Sequence, residues 1–396
     1  MNLYSHQAQT QRGMMLIMLL FVIGIVSTLL VLHSLNSDSM RIERDKKTAS
    51  VLAEAKAALI GYSVSSSTMS GRLPNPDMHT GFTLEGDQSG SVGAVDSSLI
   101  GKLPWRSLGL LPLKDGDGEC VWYIISGRFK ANPPTSSLNW DTQGQIDLID
   151  GGGNTLAIGL VALVASPGSV LGVQDRGLLD ASLVQCAGNY DARNYLDAYE
   201  LTNAVMGEVN YFSGSTNNSR SPNANNKSFV LAINANYNDR FLYITADEIF
   251  QPIIRRSDFS AQITALLDDA EFNVHLQSLI VDGSKGTVNV DCDEIISNAD
   301  NKTFCNNWKE MLLLTELPLP ASIDIDGLPT PPCNRVLIFA GTKTGAQVRT
   351  TGANISDPAN YLEGVNLTAF NDNTADFSGI SIFDANNSSA DVMRCL

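Results

Sequence analysis

A chain of 396 residues with 26 Lys and Arg against 42 Asp and Glu carries a formal charge of −16. Such a field repels polyanions and argues against nucleic-acid binding, while the length leaves core size unconstrained, since domains run to roughly 100–200 residues. Charged residues make up only 17%, below the roughly 25% of an average soluble domain, and a polar remainder dominated by Asn, Ser, Thr, Asp and Gly suits a β-rich, loop-rich exported protein.

The first feature along the chain is a polar leader that ends in Gln11-Arg12-Gly13, followed at once by Met14 to Leu32, 19 residues without a charge. That is close to the roughly 20 needed to cross a bilayer as a helix and longer than the apolar core of an ordinary signal peptide, roughly 7–15 residues. Residues 40–62 contain no proline, are rich in Ala, Glu and Lys, and place Ala49, Leu52, Ala55 or Lys56, and Leu59 at helical spacing. The expectation is one helix from about 14 to 60, roughly 70 Å long, with Gly61 as its stop. A bare count of flanking cations, Arg12 before and Arg41, Arg44, Lys46 and Lys47 after, would hold the large domain inside the cell. The cysteines, the acidic composition and the leader point outward, and that reading is preferred.

Residues 63–103 read as loop with short strands. Within and after them come Gly71-Arg72-Leu73-Pro74-Asn75-Pro76-Asp77, then Gly101-Lys102-Leu103-Pro104-Trp105-Arg106-Ser107-Leu108-Gly109-Leu110, then Asp115-Gly116-Asp117-Gly118-Glu119-Cys120-Val121-Trp122-Tyr123. Together with the leader, these segments resemble the large prepilin-like proteins among the minor pilins and pseudopilins of type IV pili and type II secretion systems. The resemblance implies cleavage by a prepilin peptidase after Gly13, with Met14 as the first mature residue. It also implies partners: other pilins met through the N-terminal helix, and the inner membrane. Two positions depart from the pattern. Met18 stands at the fifth mature position, where most pilins carry a Glu, an absence shared with tip pseudopilins, and Asn75 stands where a Cys is expected.

Two stretches of the remaining chain echo each other. Val161 to Ala165 leads to Gly172-Val173-Gln174-Asp175-Arg176 and then Asn194-Tyr195-Leu196-Asp197, while Val336 to Ala340 leads to Gly345-Ala346-Gln347-Val348-Arg349 and then Asn360-Tyr361-Leu362-Glu363. Each reads as a buried strand, a G-x-Q-x-R turn, and NYL with an acid. The simplest account is a duplicated unit in which Arg176 and Arg349 are held by Asp197 and Glu363 or by loop carbonyls, because a guanidinium satisfies several acceptors at once. Between the copies, Ser228 to Asn234 and Arg240 to Thr245 read as strands, and a helical stretch opens at Asp247 and runs to about Asp269. The expected fold class is α+β: a long N-terminal helix, transmembrane then extramembrane, packed on a large head of antiparallel sheet with two related subdomains. The expected divisions are 1–13 leader, 14–62 helix, 63–270 and 271–396.

The six cysteines, Cys120, Cys186, Cys292, Cys305, Cys333 and Cys395, form no CxxC and pair with no His at zinc spacing. An even number in an exported chain reads as disulfides. Cys292 with Cys305 is favoured because a short loop closes at low entropic cost, and Cys395 reads as a staple for the C-terminal tail. Four histidines, at 6, 33, 79 and 275, are too scattered for a metal centre or a general base. No GxxxxGK[ST], GxSxG or HExxH occurs, and Gly151-Gly152-Gly153 reads as a turn. Asp115, Asp117 and Glu119 alternate with glycine as in hard-cation loops, though Cys120 and Ser126 break the EF-hand pattern. The tip pseudopilins the chain resembles bind calcium, which makes these three the candidate Ca²⁺ ligands. Two functions are carried forward: a minor pilin or pseudopilin that primes or caps a filament, with its head in the periplasm or at an extracellular tip, and a single-pass anchored binding or adhesion protein. Neither is an enzyme.

Overall fold

The computed structural model describes residues 6–65, 71–79, 84–172, 174–177, 185–197, 204–205, 208–212, 227–234, 236–279, 286–287, 291–350 and 352–396. The chain begins with α1 (His6–Ser65), whose buried positions Thr48, Leu52, Ala55, Leu59 and Ser63 fall on one helical stripe. Lys56 pairs with Glu248, Asp45 with Arg240, and the Val64 carbonyl accepts from Arg256, so polar contacts flank that stripe on the body.

This corrects the expected fold class in its first element. Among the described residues no helix is long and apolar enough to cross a membrane, so the transmembrane half of the expected helix is not shown. The described apolar side chains near its start, Met18, Leu20, Phe21, Val22, Ile23 and Ile25, are exposed. Arg41, Glu43, Arg44, Asp45, Lys46 and Lys47 then follow in the sequence. Residues 1–5 of the leader lie outside the described residues.

The body is α+β with mainly antiparallel sheet. β1 (Asp96–Lys102), β2 (Trp122–Gly127), β3 (Ile146–Asp150), β4 (Thr155–Leu160), β5 (Ala162–Ser166), β6 (Ala204–Val205), β7 (Glu208–Phe212), β8 (Lys227–Leu231) and β9 (Arg240–Ile244) make the first half. They form a sheet of order β6-β7-β1-β2-β5-β9 and a satellite sheet of order β4-β3-β8. β2 and β5 are buried along their whole length because both faces of the sheet are covered. Tyr123, Ile125, Ala162 and Val164 face the core shared with α1, whereas Trp122, Ile124, Leu163 and Ala165 face the satellite sheet, as the alternation of a strand requires.

The second half opens with three helices, α2 (Ala246–Ile254), α3 (Ser257–Leu267) and α4 (Ala270–Ser278). The single stretch expected to about Asp269 is therefore broken, and helix runs on to Ser278. Thr245 starts α2 through a capping box with Glu248. After them come β10 (Gly286–Thr287), α5 (Cys292–Ile295), α6 (Ala299–Trp308), β11 (Leu312–Ala321), β12 (Asp324–Ile325), β13 (Leu328–Pro329), β14 (Cys333–Phe339), α7 (Gly352–Ile355), α8 (Gly364–Asp372), β15 (Ser378–Gly379) and β16 (Val392–Cys395). Helix is thus more abundant after residue 63 than the sequence suggested.

The two halves share a topology. The order β10-β11-β14-β16 repeats β1-β2-β5-β9, and the satellite β13-β12-β15 repeats β4-β3-β8. Even the parallel pairing recurs, β3 with β8 and β12 with β15, among otherwise antiparallel ladders. Disulfides join Cys120 to Cys186, Cys292 to Cys305, and Cys333 to Cys395.

Candidate functional site: paired arginine loops and the seam between the halves

Each half ends its central strand in the same loop. In the first, Arg176 donates through Nη1 to the Gly168 carbonyl at 2.7 Å, through Nε to the Asn194 carbonyl at 2.9 Å, and through Nη2 to Gln174 Oε1 at 2.8 Å. In the second, Arg349 donates through Nη1 to the Gly341 carbonyl at 2.9 Å, through Nε to the Asn360 carbonyl at 2.5 Å, and through Nη2 to Gln347 Oε1 at 3.2 Å. Each guanidinium lies over the tyrosine of its NYL segment, 5.0 Å from the Tyr195 ring and 4.4 Å from the Tyr361 ring. The sequence echo is therefore a repeated geometry.

The acid of each copy does not meet its arginine first. Asp197 and Glu363 each accept from the amide of the loop glutamine, Gln174 or Gln347, at 2.7 Å. The glutamine carbonyl oxygens in turn accept from the Leu171 and Thr344 amides. Burial raises the Asp197 carboxyl above the ordinary range, while the Asn238 amide and Arg176 pull it back. Sequence reasoning missed Asp191 and Asp357, three residues before each Asn, which cap the single 3-10 turns Ala192–Asn194 and Pro358–Asn360. The spacing D-x-x-N-Y-L with an acid stands in both copies and could have found them.

The copies differ in what neutralises the arginine. Arg176 pairs with Glu119 of its own half at 3.4 Å. Arg349, 1 % exposed, pairs with Asp141, which comes from the first half, at 3.3 Å. Asp141 arrives on a segment that plugs into the second half: Leu138 N donates to Asn307 Oδ1, and Asn139 Nδ2 donates to the Asn307 carbonyl and to Glu310. Trp140 inserts among Phe259, Trp308, Phe339 and Phe383, its ring 4.7 Å from that of Trp308.

The three candidate calcium ligands diverge. Asp115 is fully buried; its Oδ1 accepts the Asp117 and Glu119 amides and its Oδ2 accepts Ser166 Oγ and the Gly168 amide. Asp117 turns to Arg44 and Glu119 to Arg176. Among the described residues no group of three His, Cys, Asp or Glu is placed to hold a metal ion.

The segment 71–77 and the strand around Lys102 form a second polar cluster. Buried Asp77 accepts the His79 amide, the Gly86 amide and the Tyr190 hydroxyl. Burial pushes its carboxyl up and those bonds oppose the shift. Lys102, 1 % exposed, donates to the Ala187 carbonyl at 2.7 Å and sits 4.3 Å from the Tyr190 ring, its ammonium pushed down to about 8 by burial. Glu85 accepts the Gln185 and Cys186 amides. These groups clasp two loops beside the Cys120–Cys186 disulfide. Gly86 is required there, since a Cβ would lie 2.2 Å from the Trp105 ring. Asn75, at the position where a Cys was expected, donates to the Gly90 and Asn132 carbonyls. Gly13 and Met14 lie on the α1 backbone, and Met18 is exposed.

No family model matches the chain, and no curated protein or solved structure matches it either.

Proposed function

We propose that this chain is a structural subunit of the minor-pilin or pseudopilin type, a large head that primes or caps a filament outside the cytoplasm, and not an enzyme. The observation that carries the reading is one of sequence: the junction Gln11-Arg12-Gly13-Met14 before an uncharged run stands in the same chain as LPWRSLGL and the DGDGECVWY segment. Three disulfides support an oxidising compartment, the periplasm or a filament tip. Arg176, Arg349 and Lys102 are engaged by backbone carbonyls and ring faces, the arrangement of a stiff head. Under this reading the partners are other pilin-like subunits met through the N-terminal helix, the inner membrane, and the prepilin peptidase.

Met18 refines the position in the fibre. A carboxylate at this place would need a neighbour's amine to offset its desolvation, and a methionine forms no such pair, so the subunit belongs at the tip in one or a few copies. Mass analysis of the native N-terminus tests the reading: a chain that begins at Met14 is expected. A mature chain that keeps residues 1–12 would favour an anchored binding or adhesion protein. Immunolabel at regular intervals along the shaft would overturn the tip position.

A further inference from the structure

The three disulfides are not equally sheltered. Cys120, Cys186, Cys292 and Cys305 are each 8 % exposed or less, so an external thiol does not reach their sulfurs while the halves that enclose them stay folded. Cys333 and Cys395 are both half-buried. The first opens β14 and the second ends β16, the outermost strand of its sheet.

The surroundings of Cys395 suit both products of opening this bond. The Thr330 hydroxyl oxygen accepts the Ile323 amide at 3.1 Å and stands 3.4 Å from Cys395 Sγ. A disulfide sulfur has no proton, so the hydroxyl is the donor of that pair, aimed where a thiolate would carry its charge. The Pro331 carbonyl lies 3.4 Å from the same sulfur and can accept from it only once it has become a thiol. The tail does not depend on the bond for its place. Leu396 N donates to the Arg335 carbonyl at 2.8 Å, the Leu396 carbonyl accepts the Asn334 and Arg335 amides at 3.2 Å, and β16 pairs with β14 from Val392 to Cys395. The two sulfurs are thereby kept near each other after reduction, ready to close again.

We propose that Cys333–Cys395 is a site of reversible thiol–disulfide exchange with an external dithiol, in which Cys333 is the sulfur attacked and Cys395 the leaving group. A thiolate of the dithiol bonds to Cys333 Sγ as the Cys333–Cys395 bond breaks, and the electron pair passes to Cys395 Sγ beside the Thr330 hydroxyl, which favours its departure. The second thiolate of the dithiol then displaces Cys333 Sγ from the mixed disulfide. The chain gains two electrons, the dithiol closes to its own disulfide, and the two protons it sheds are taken up by Cys333 and Cys395.

Treatment of the folded full chain with dithiothreitol or with reduced glutathione, followed by acid quench, alkylation and peptide mass mapping, tests this. Cys333 and Cys395 are expected to be labelled about tenfold faster or more than the other four cysteines, and the glutathione adduct to be trapped on Cys333. Thr330→Val removes the donor to the leaving sulfur and is expected to slow opening of this bond by about tenfold. Thr330→Ser is expected to restore the rate, and neither variant to change the other two bonds. Labelling of all six cysteines together or of another pair first, an adduct on Cys395, or equal rates in Thr330→Val and Thr330→Ser would each overturn the inference.

Discussion

Arg349 and Asp141 stand 208 residues apart in the chain and 3.3 Å apart in space, both buried in the seam between the two halves. Removing one member of such a pair leaves the other charged and desolvated, so Asp141→Ala and Arg349→Met are each expected to cost about 3–5 kcal/mol. Arg349→Lys should not rescue, because an ammonium cannot reproduce the planar fork that serves Asn360, Gly341 and Gln347 together. Urea unfolding of the three variants measures this, and wild-type midpoints would show that the pair is dispensable.

Trp140 makes the apolar part of the same seam. Trp140→Ala is expected to cost about 3–5 kcal/mol and, by emptying the socket formed by Phe259, Trp308, Phe339 and Phe383, to let the halves unfold in separate steps. Calorimetry would then resolve two transitions where the native chain gives one. A single transition shifted as a whole would count against an independent seam.

The paired loops give a test of equivalence. Gln174→Ala and Gln347→Ala each strip an acid of its donor and an arginine of one acceptor, at about 1–3 kcal/mol apiece. If the loops are separate copies, the double variant should lose the sum to within about 0.5 kcal/mol. Stability curves of the two singles and the double decide it.

Among the disulfides, the chain-entropy account ranks the cost of removal by loop length. Replacing Cys292 and Cys305, 13 residues apart, with alanine should cost about 3 kcal/mol, and replacing either the 66-residue or the 62-residue pair about 4 kcal/mol. Denaturation of the three double-alanine variants checks the order.

Asp391 supplies a pH dependence. Burial pushes its carboxyl from 3.8 up to about 7, against hydrogen bonds from Asn366 and the Gly341 amide and the charge of Arg349, with Glu363 adding to the rise. The native chain therefore holds this proton more tightly than the unfolded chain. Its contribution to stability is full below pH about 3.8 and is lost as pH rises to about 7. Asp391→Asn should flatten that part of the stability–pH curve, read from urea midpoints at pH about 4, 5.5 and 7.5. An unchanged slope would assign the dependence to other groups.

Much of the loop architecture was legible because it is written in local spacing. The G-x-Q-x-R and NYL echo marked both arginine loops, the short span marked Cys292–Cys305, and the strands near 228–234 and 240–245 appear as β8 and β9. What the sequence did not give depends on long-range partners. No local pattern shows that Asp141 answers Arg349, or that the alternating acids at Asp115, Asp117 and Glu119 turn to three different sets of partners. The break of the helical stretch after Ile254 was missed although Pro252 lies inside α2, where a ring in place of an N–H weakens the last turn. The membrane helix was over-read, since an uncharged run fixes length and polarity but not the fold that encloses it.

The asymmetry of the two arginines also orders events in time. As the chain emerges from its N-terminus, the first half can close its own loop, because Glu119 precedes Arg176 and both belong to it. The second half cannot close without Asp141, and the segment that carries this carboxylate is seated by Asn307, Glu310 and Trp308 of the second half, so the two must dock together. A permuted chain that synthesised the second half first would have to carry an unmatched guanidinium until the first half caught up.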